Sequence, residues 1–344
     1  MKIVIDKAIP FIKGVFEPYA DVLYREGGSL RREDLSDADA LIIRTRTRCD
    51  ALLLEGTSVK IIALASSGSE NIDLPYCREK GIFVKSATGC NATSVANYVF
   101  SALYASAARK SIPLTGATLG IIGAGQTGSK VESTARLLGF KVLLCDPVRM
   151  EDEGPNQFCS LDQLLAASDI VTLHLPLDES TRKSVGASFF SKMRLGAFFI
   201  NTAHGGIVDE EALVDSIPKL GPVVIDAWDG EPDINLALMS KVDIATPHVA
   251  GYSYLSKQES TKIAVRTVAR FLDIKPLFEF FPDADIEQLE AVRLNLSGMT
   301  QGQITSAIQY NYPIYTDDFI FRMNPSGFDE IRAGYRYRRE FYID

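Results

Sequence analysis

Short apolar runs alternate with longer stretches of helical periodicity along most of this chain of 344 residues. Near its start, four apolar runs predict strands, at Lys2–Asp6, Leu41–Thr45, Lys60–Ala65 and Ile82–Val84. Short apolar strands separated by helices are typical of a parallel sheet that helices cover. The pattern therefore predicts a small α/β unit in this part of the chain.

A long helix is predicted from Ala92 to Arg109, because Val95, Val99 and Leu103 recur at helical spacing. Six further apolar runs follow, and after them comes a second helical stretch, roughly from Ser256 to Leu272. Six strands with intervening helices make a complete dinucleotide-binding sheet. The six predicted strands are Thr118–Ile122, Lys141–Cys145, Ile170–Leu173, Phe198–Asn201, Val223–Ile225 and Asp243–Ala245.

The character of the sequence changes from about Pro282, where Tyr and Phe become dense. A length of 344 residues exceeds the comfortable size of one hydrophobic core, so two or three domains are expected. We therefore predict that this tail forms a third, small domain. Four arginines crowd its end: Arg332, Arg336, Arg338 and Arg339.

Composition and charge narrow the class of protein. Hydrophobic residues at 46% and charged residues at 23% are ordinary for a soluble globular protein. The net charge of -8 argues against a general nucleic-acid binder, which would carry a basic face. The sequence contains no uncharged apolar run long enough to span a membrane. We therefore expect neither nucleic acid nor a membrane as a partner.

The cysteines and the first residues indicate a cellular compartment. Five cysteines form an odd set with no CxxC pair, which fits neither a disulfide framework nor a zinc site. Reduced thiols in a cytoplasmic enzyme are the simpler interpretation. The sequence after Met1 soon reaches charge at Asp6 and Lys7, which leaves no apolar core for a signal peptide. We expect a cytoplasmic protein without a bound metal.

A glycine-rich segment with the pattern G-x-G-x-x-G follows a predicted strand directly and opens a predicted helix, which is the context that gives this motif its meaning. Gly123 permits a tight turn, Gly125 lets the backbone approach a pyrophosphate, and Gly128 allows close packing of the helix on the strand. The N-terminus of the helix faces the phosphates. The candidate cofactor contacts here are Gly123, Gly125, Gln126, Thr127 and Gly128.

Asp146 follows the next predicted strand, where a carboxylate can accept hydrogen bonds from the ribose hydroxyls of an adenosine. The same carboxylate would repel a 2′-phosphate, so NAD is favoured over NADP as the cofactor. Arg149 weakens this inference, because a nearby arginine can accommodate a 2′-phosphate.

Glu231 and His248 come just after two successive predicted strands. The carboxyl ends of parallel strands meet at one edge of the sheet, where ligands bind in folds of this kind. A histidine can take the proton of a hydroxyl near neutral pH, and a neighbouring carboxylate stabilises its imidazolium form. The pair therefore predicts acid–base chemistry at a C2 carbinol whose hydride passes to NAD.

The spacing Asp226-x-x-x-x-Glu231-Pro232, followed by Pro247-His248, resembles the D-2-hydroxyacid dehydrogenases, and the likeness covers residues 1 to about 275. The resemblance implies that Glu231 and His248 are the acid–base pair and that Asp226 lies near the nicotinamide. It also implies a Rossmann-type NAD domain, residues 93–252, inserted in a smaller flavodoxin-like α/β substrate domain formed by residues 1–92 and 253–281.

His204 stands where that family carries a catalytic arginine, in the segment Asn201-Thr-Ala-His-Gly-Gly-Ile-Val-Asp. A guanidinium grips a carboxylate with two parallel hydrogen bonds and a permanent charge, whereas an imidazole offers one donor and a pH-dependent charge. His204 is therefore a candidate catalytic residue whose hold on a substrate carboxylate depends on pH. Either another cation compensates for the arginine, or activity is weakened.

Three cations alternate with two hydroxyls in Arg44-Thr-Arg-Thr-Arg48, a segment that the resemblance places against the substrate. Such a loop suits a phosphate better than a small aliphatic acid. A solvated loop explains it equally well. Arg44, Thr45 and Arg46 are the candidate substrate contacts.

Three more segments resemble one branch of the family: residues 89–92, residues 250–252 and the tail from Gly327 to Phe341. This likeness extends over nearly the whole chain. It implies oxidation of 4-phospho-D-erythronate to 2-oxo-3-hydroxy-4-phosphobutanoate in vitamin B6 synthesis. It also implies a homodimer formed through a small α+β C-terminal domain, residues 282–344. Motif matching adds Thr45, Ser66 and Tyr252 as substrate contacts, and it places His174, Leu175 and Gly251 near the cofactor.

Two alternatives stay open. Another D-2-hydroxyacid dehydrogenase, such as D-3-phosphoglycerate dehydrogenase, would share the same site, although the tail disfavours it. A non-catalytic, NAD-sensing regulator of the same fold is the other, and His204 in place of an arginine keeps it open. Hydride transfer from NADH to a 2-keto acid separates an enzyme from a regulator.

Overall fold

A computed structural model describes residues 1–282 and 291–344 of the chain. These residues form two compact units. The first consists of Met1–Asn91 with the described part of Tyr254–Glu290, and the second of Ala92–Ser253 with Ala291–Asp344. Residues 283–290 of the predicted C-terminal domain lie outside the described residues.

Parallel strands and helices alternate along the chain, which confirms the predicted α/β class. The strands are β1 (Lys2–Asp6), β2 (Asp21–Arg25), β3 (Ala40–Ile43), β4 (Ile61–Leu64), β5 (Phe83–Ser86), β6 (Thr118–Ile122), β7 (Lys141–Cys145), β8 (Ile170–Leu173), β9 (Phe198–Asn201), β10 (Val223–Ile225), β11 (Ile244–Ala245), β12 (Val292–Leu294) and β13 (Phe341–Ile343). The helices of the described residues are α1 (Ala51–Leu54), α2 (Leu74–Glu79), α3 (Ala92–Lys110), α4 (Gln126–Leu137), α5 (Pro147–Glu153), α6 (Leu161–Ala167), α7 (Ala187–Lys192), α8 (Glu210–Ser216), α9 (Leu236–Met239), α10 (Tyr254–Phe271), α11 (Gln301–Asn311), α12 (Ile314–Met323) and α13 (Phe328–Ala333). In the part of the chain that is described, none of these helices is long and apolar enough to cross a membrane.

The first unit is built on a five-stranded parallel sheet in the order β2-β1-β3-β4-β5. This is the flavodoxin-like order, as predicted. Helix α10 buries Val265 and Val268 in the same core as Ile5 and Ile42 of the sheet. The helix therefore belongs to the first unit although it follows the second sheet in the sequence.

Strand β2 is the one strand of this sheet that the apolar pattern failed to predict. It lies at the edge and is polar at both ends, and its residues are half-buried or exposed. Pairing with β1, for example of Val4 with Leu23, defines it. A strand that is bonded on one side only does not need the continuous apolar run of a buried parallel strand.

The second unit contains a six-stranded parallel sheet in the order β11-β10-β9-β8-β6-β7. Phe158 adds one isolated parallel bridge to Leu144, on the outer side of β7. If this bridge is counted as a short strand beside β7, the order of the six strands from the bridge to β10 is that of a Rossmann sheet. Strand β11 is then an additional strand at the other edge. The Rossmann prediction is confirmed. The crevice where dinucleotides bind opens at the carboxyl ends of β6 and β8, where the strand order reverses.

The tail from residue 291 packs within the second unit. Helix α3 is buried from Ser94 to Ala107 and provides the surface that the tail covers. The side chain of Asn97 binds the backbone N–H and carbonyl of Phe341 at 3.0 and 2.8 Å, and Ser101 Oγ donates to the carbonyl of Tyr312 at 2.6 Å. The tail contains helices α11, α12 and α13 and a two-stranded sheet of β12 and β13. Its role as a separate dimerisation domain stays a prediction.

Candidate active site

Glu231 and His248 follow β10 and β11, which are neighbours in the second sheet. Nδ1 of His248 lies 3.0 and 2.9 Å from the two carboxylate oxygens of Glu231. The backbone N–H of Trp228 donates to Glu231 Oε1 at 2.8 Å. The His248 side chain is 33% exposed and that of Glu231 is 20% exposed. The structure therefore brings the two residues together, with the imidazole the more accessible partner.

Each member of this pair stabilises the charged form of the other. Burial alone would lower the pKa of His248, but the charge of Glu231 and its hydrogen bond raise it above the ordinary value of 6.5. Burial alone would raise the pKa of Glu231, but the charge of His248 and hydrogen bonds from His248 and Trp228 lower it. Nδ1 is thereby engaged as the donor to an ionised carboxylate. Nε2 is left as the ring atom that can exchange a proton with a ligand.

Asp226 is completely buried and organises the loop that carries His248. Its carboxylate accepts hydrogen bonds from Thr246 Oγ1 at 2.6 Å and from the N–H groups of Val249 and Ala250 at 2.8 and 2.9 Å. Burial raises the pKa of Asp226, although these hydrogen bonds and the charge of His248 oppose the shift. Asp226 acts as a positioning residue for the loop, and its direct contact with a cofactor stays a prediction.

His204 follows β9, the neighbour of β10 on its other side. Asn201 Nδ2 donates to the carbonyl of His204 at 3.3 Å. A Cβ atom on Gly205 would collide with the backbone of Trp228, so glycine is required for the close approach of these two loops. The loop of His204 therefore packs against the loop that leads to Glu231. Its contact with a substrate stays a prediction.

The glycine-rich loop between β6 and α4 is held tightly against the end of β8. Gly123 has a φ of +86°, and a Cβ atom there would stand 2.7 Å from the carbonyl oxygen of His174 and 3.0 Å from the nitrogen of Leu175. A Cβ atom on Gly128 would collide with the carbonyl of Gly123. These contacts bring the predicted cofactor residues His174 and Leu175 directly against the loop.

The outer face of the same loop is open. Among the described residues, nothing comes within 4 Å of a Cβ atom built on Gly125, and no side chain caps the helix that begins at Gln126. Gly125 and Gln126 are exposed, and Thr127 is half-buried. The first N–H groups of α4 are thus available to a ligand, and they carry the positive end of the helix dipole. This donor set fits the pyrophosphate of a dinucleotide.

Asp146 and Arg149 support the loop from the side of β7. Asp146 accepts hydrogen bonds from the N–H of Ala124 at 2.8 Å and from the N–H of Arg149 at 3.1 Å. The guanidinium of Arg149 binds Glu153 at 2.7 and 2.8 Å and the carbonyl of Ala124 at 2.6 Å. Arg149 is therefore committed to protein partners, which weakens the sequence-based argument for a 2′-phosphate.

His174 offers a buried polar atom beside the glycine-rich loop. Its Nε2 lies 3.1 Å from Thr172 Oγ1, whereas its buried Nδ1 finds no hydrogen-bond partner within residues 1–282 and 291–344. Burial lowers the pKa of His174 to about 3, so the ring is neutral. A polar atom left unsatisfied at this place fits a site that a bound dinucleotide completes.

Arg44 follows β3 in the first unit and lies at the carboxyl edge of that sheet. Its Nε pairs with the buried carboxylate of Asp6 at 3.3 Å, and Arg48 pairs with Asp50 at 2.9 Å. Both cations thus have a carboxylate partner, which reduces the charge that they offer to a phosphate.

The other predicted substrate contacts lie in loops of both units. In the first unit, Thr45 and Arg46 are exposed, and Ser66 follows β4, the strand next to β3. In the second unit, Tyr252 lies in the loop after His248, directly after Gly251, which is a predicted cofactor contact. The binding roles of these residues stay predictions.

Sequence reasoning gave no role to Arg338, which is buried and holds the loop after His248 from the other side. Its guanidinium donates to the carbonyls of Val249, at 2.9 Å, Tyr252, at 3.0 Å, and Ala250, and to Ser94 Oγ at 2.8 Å. The crowding of arginines in an aromatic tail was the only signal of such a role in the sequence.

Comparisons with known proteins agree with this fold. Residues 92–250 match the family described as D-isomer specific 2-hydroxyacid dehydrogenase, NAD binding domain. The chain is 39% identical to an erythronate-4-phosphate dehydrogenase of Bacteroides fragilis, over 99% of this chain and 97% of that protein. A protein of the same name from Bacteroides thetaiotaomicron is 38% identical, with the same coverage.

A solved structure of NAD-bound 3-phosphoglycerate dehydrogenase from Entamoeba histolytica is 26% identical and superimposes with a TM-score of 0.69, covering 83% of this chain and 99% of that one. The alignment to this Bacteroides fragilis relative covers 99% of the chain, so it spans both units and the tail and extends beyond the NAD-binding domain. The chain belongs to the erythronate-4-phosphate dehydrogenase family, a branch of the NAD-dependent D-isomer-specific 2-hydroxyacid dehydrogenases.

Proposed function

We propose that this protein oxidises 4-phospho-D-erythronate at C2 to 2-oxo-3-hydroxy-4-phosphobutanoate, in the synthesis of pyridoxal phosphate. The observation that carries the proposal is the hydrogen-bonded pair of His248 and Glu231 in a chain that aligns with named erythronate-4-phosphate dehydrogenases over 99% of its length. Both residues follow strands of a Rossmann sheet, at the edge where ligands of such sheets bind.

His248 is the general base of the reaction. Its Nε2 takes the proton of the C2 hydroxyl while the C2–H bond breaks, and the hydroxyl becomes a carbonyl. Bound NAD supplies the acceptor for the hydride, so that two electrons leave C2 and NADH is formed. Glu231 stabilises the imidazolium that results, as the raised pKa of His248 indicates. In the reverse direction, the protonated His248 returns the proton to the carbonyl oxygen.

The glycine-rich loop and its supports hold the cofactor. The N–H groups at the start of α4 bind the pyrophosphate, and Gly123, Gly125, Gln126, Thr127 and Gly128 shape that surface. Asp146 faces the ribose and discriminates against a 2′-phosphate. His174, Leu175 and Gly251 complete the cofactor contacts.

Two groups of residues recognise the anionic ends of the substrate. His204 contacts the carboxylate through its imidazole, with a strength that depends on its protonation. Arg44, Thr45, Arg46 and Ser66 contact the phosphate through cationic and hydroxyl groups. Tyr252, in the loop after His248, contacts the substrate chain.

The working form is a homodimer in the cytoplasm. Helices α11 and α12 of the tail expose large apolar side chains, among them Tyr310, Phe319 and Met323. Apolar side chains clustered on the surface of a soluble monomer are typical of an interface. A two-fold contact through the tail would cover them.

A substrate panel tests the proposal. The purified protein is mixed with NAD and, in separate reactions, with 4-phospho-D-erythronate, D-erythronate or D-3-phosphoglycerate, and NADH formation is followed. We expect the first compound to have the highest kcat/KM. In His248→Asn, turnover should fall by about 10²- to 10⁴-fold while the Kd for NAD stays nearly constant.

Each alternative has its own result in this experiment. A higher kcat/KM for D-3-phosphoglycerate would show that the protein is a D-3-phosphoglycerate dehydrogenase. Tight NAD binding without turnover of any substrate in either direction would support the alternative that the protein is a non-catalytic, NAD-sensing regulator. A normal rate in His248→Asn would remove His248 from the mechanism.

A further inference from the structure

Helix α13 of the tail is anchored next to the loop that carries Glu231. Phe328, its first residue, is buried, and its ring centre lies 5.6 Å from that of Phe321 in α12. The ring of Phe321 in turn lies 6.3 Å from that of Trp228. Trp228 is the residue whose N–H binds Glu231. This row of aromatic contacts fixes where the side chains of α13 lie relative to the acid–base pair.

Arg332 lies one helical turn after Phe328 and extends from α13 to the loop of His248. Its guanidinium stands 5.5 Å from the ring centre of Phe328 and 5.6 Å from that of Tyr252. Its Nε is buried and has no hydrogen-bond partner in the described part of the chain. A desolvated donor without a partner is costly, and an arginine that is stacked between rings is held ready for a planar anion.

The charge of Arg332 reaches both members of the acid–base pair. Beyond the effects of burial and of the charges within the pair, Arg332 lowers the pKa of Glu231 and that of His248. Asp226 and Glu231 act on His248 in the opposite direction. The atom that exchanges the substrate proton is therefore within the electrostatic range of this cation.

We propose that Arg332 binds the carboxylate of the 2-hydroxyacid together with His204. The carboxylate carbon is bonded to C2, whose hydroxyl meets His248, so the carboxylate is the substrate anion nearest to the acid–base pair that the charge of Arg332 reaches. The phosphate on C4 lies two carbons farther along the substrate. Arg332 supplies two parallel donors and a permanent charge, which the imidazole of His204 does not. This assignment rests on the proposed function.

Three variants test Arg332: Arg332→Gln, Arg332→Lys and, as a matched control, Arg336→Gln, which removes an exposed arginine from the same tail. The first readout is binding of oxamate, a planar carboxylate, to the complex of the enzyme with NADH. The second is inhibition by inorganic phosphate. KM, kcat and the pH profile for 4-phospho-D-erythronate complete the set.

We expect Arg332→Gln to weaken oxamate binding and to raise KM by roughly 10- to 100-fold, the scale of one lost charged hydrogen bond. Inhibition by phosphate should stay unchanged, and Arg332→Lys should recover part of the affinity. The acidic limb of the pH profile should move to higher pH, because the cation that lowers the pKa of His248 is gone. Arg336→Gln should behave as the unmodified protein.

Unchanged oxamate affinity in Arg332→Gln and Arg332→Lys would overturn the proposal. Loss of phosphate inhibition with retained oxamate binding would also overturn it, because Arg332 would then bind the phosphate of the substrate and not its carboxylate. If Arg332→Gln does not fold, Arg332→Lys decides, since it keeps the charge and loses the planar fork. Oxamate binding that depends on Arg332 in a protein that fails to oxidise 4-phospho-D-erythronate would support the assignment and reject the proposed substrate.

Discussion

Asp226 binds the backbone N–H groups of His248 and of the two residues that follow it. The N–H of His248 donates to the carbonyl of Asp226 at 2.8 Å, and the Asp226 carboxylate accepts from the N–H groups of the next two residues, at 2.8 and 2.9 Å. His248 has a φ of +55°, which non-glycine residues rarely adopt. The buried carboxylate therefore stabilises the backbone conformation that positions the His248 ring.

Replacing Asp226 by Asn should loosen this loop. The side-chain NH2 would face a backbone N–H, which leaves two donors opposed, and the free energy of unfolding should fall by about 1–3 kcal/mol. Urea unfolding measures this loss, and kcat should fall with it because His248 is displaced. Asp209→Asn, which alters the cap of α8, serves as the control. The Kd for NAD separates the roles of Asp226: it stays constant for a positioning residue and rises for a cofactor contact.

Glu231→Gln should shift the pH dependence of oxidation. His248 must be neutral to accept the proton, and Glu231 raises its pKa above 6.5, so the rate of the unmodified enzyme climbs as the pH passes that raised value. Without the carboxylate, the climb should occur at lower pH, and kcat should fall by about 10²-fold. The pH profile of kcat/KM checks the shift, with the exposed Glu211→Gln as control. An unmoved acidic limb would show that Glu231 does not tune His248.

His204→Arg should lower KM above neutral pH, because a permanent guanidinium replaces an imidazole that is neutral there. His204→Ala should raise KM mainly at acidic pH, where the protonated ring binds the carboxylate. KM for the hydroxyacid is measured from about pH 6 to 9, on both sides of the ordinary histidine pKa of about 6.5. Flat and parallel profiles for both variants would eliminate His204 as a carboxylate ligand.

Asp146→Ser should relax the preference for NAD. Serine removes the charge that repels a 2′-phosphate and remains a good residue for the N-terminus of α5. Adding Glu153→Gln should increase the use of NADP further, because it releases Arg149 from its ion pair. The ratio of kcat/KM for NAD and NADP should change by about tenfold or more. Glu153→Gln alone is the control, and equal use of both cofactors by the unmodified protein would refute the role of Asp146.

The tail should mediate a dimer through α11 and α12. Tyr310 is 89% exposed and Phe319 is 63% exposed, so Tyr310→Glu combined with Phe319→Glu should shift the protein towards a monomer in sedimentation velocity. Leu195→Glu, at an apolar site that is 83% exposed in another part of the unit, should leave the assembly intact. A full-length protein that sediments as a monomer at micromolar concentration would contradict the prediction.

The hydrophobic pattern of the sequence was sufficient to predict most strands of the second sheet. The strands predicted at Thr118–Ile122 and Ile170–Leu173 coincide with β6 and β8, since a parallel strand that is buried on both faces leaves a nearly continuous apolar run in the sequence. The pairing of Glu231 with His248 could also be predicted, because the carboxyl ends of successive parallel strands share one edge. Each strand is specified by a few consecutive residues, and the order of the strands along the chain is enough to place the ends of β10 and β11 together.

Contacts between distant segments decided the rest. Strand β2 exists because it pairs with β1, and Arg149 donates to the carbonyl of Ala124 in the glycine-rich loop, a contact that its own sequence context does not specify. Arg332 and Arg338 look alike in the sequence, as charges in an aromatic tail. Burial of Arg338 against α3, and stacking of Arg332 between Phe328 and Tyr252, give them different environments. The contacts and the pKa of a charged side chain depend on the residues around it in the folded protein, and these residues come from distant parts of the chain.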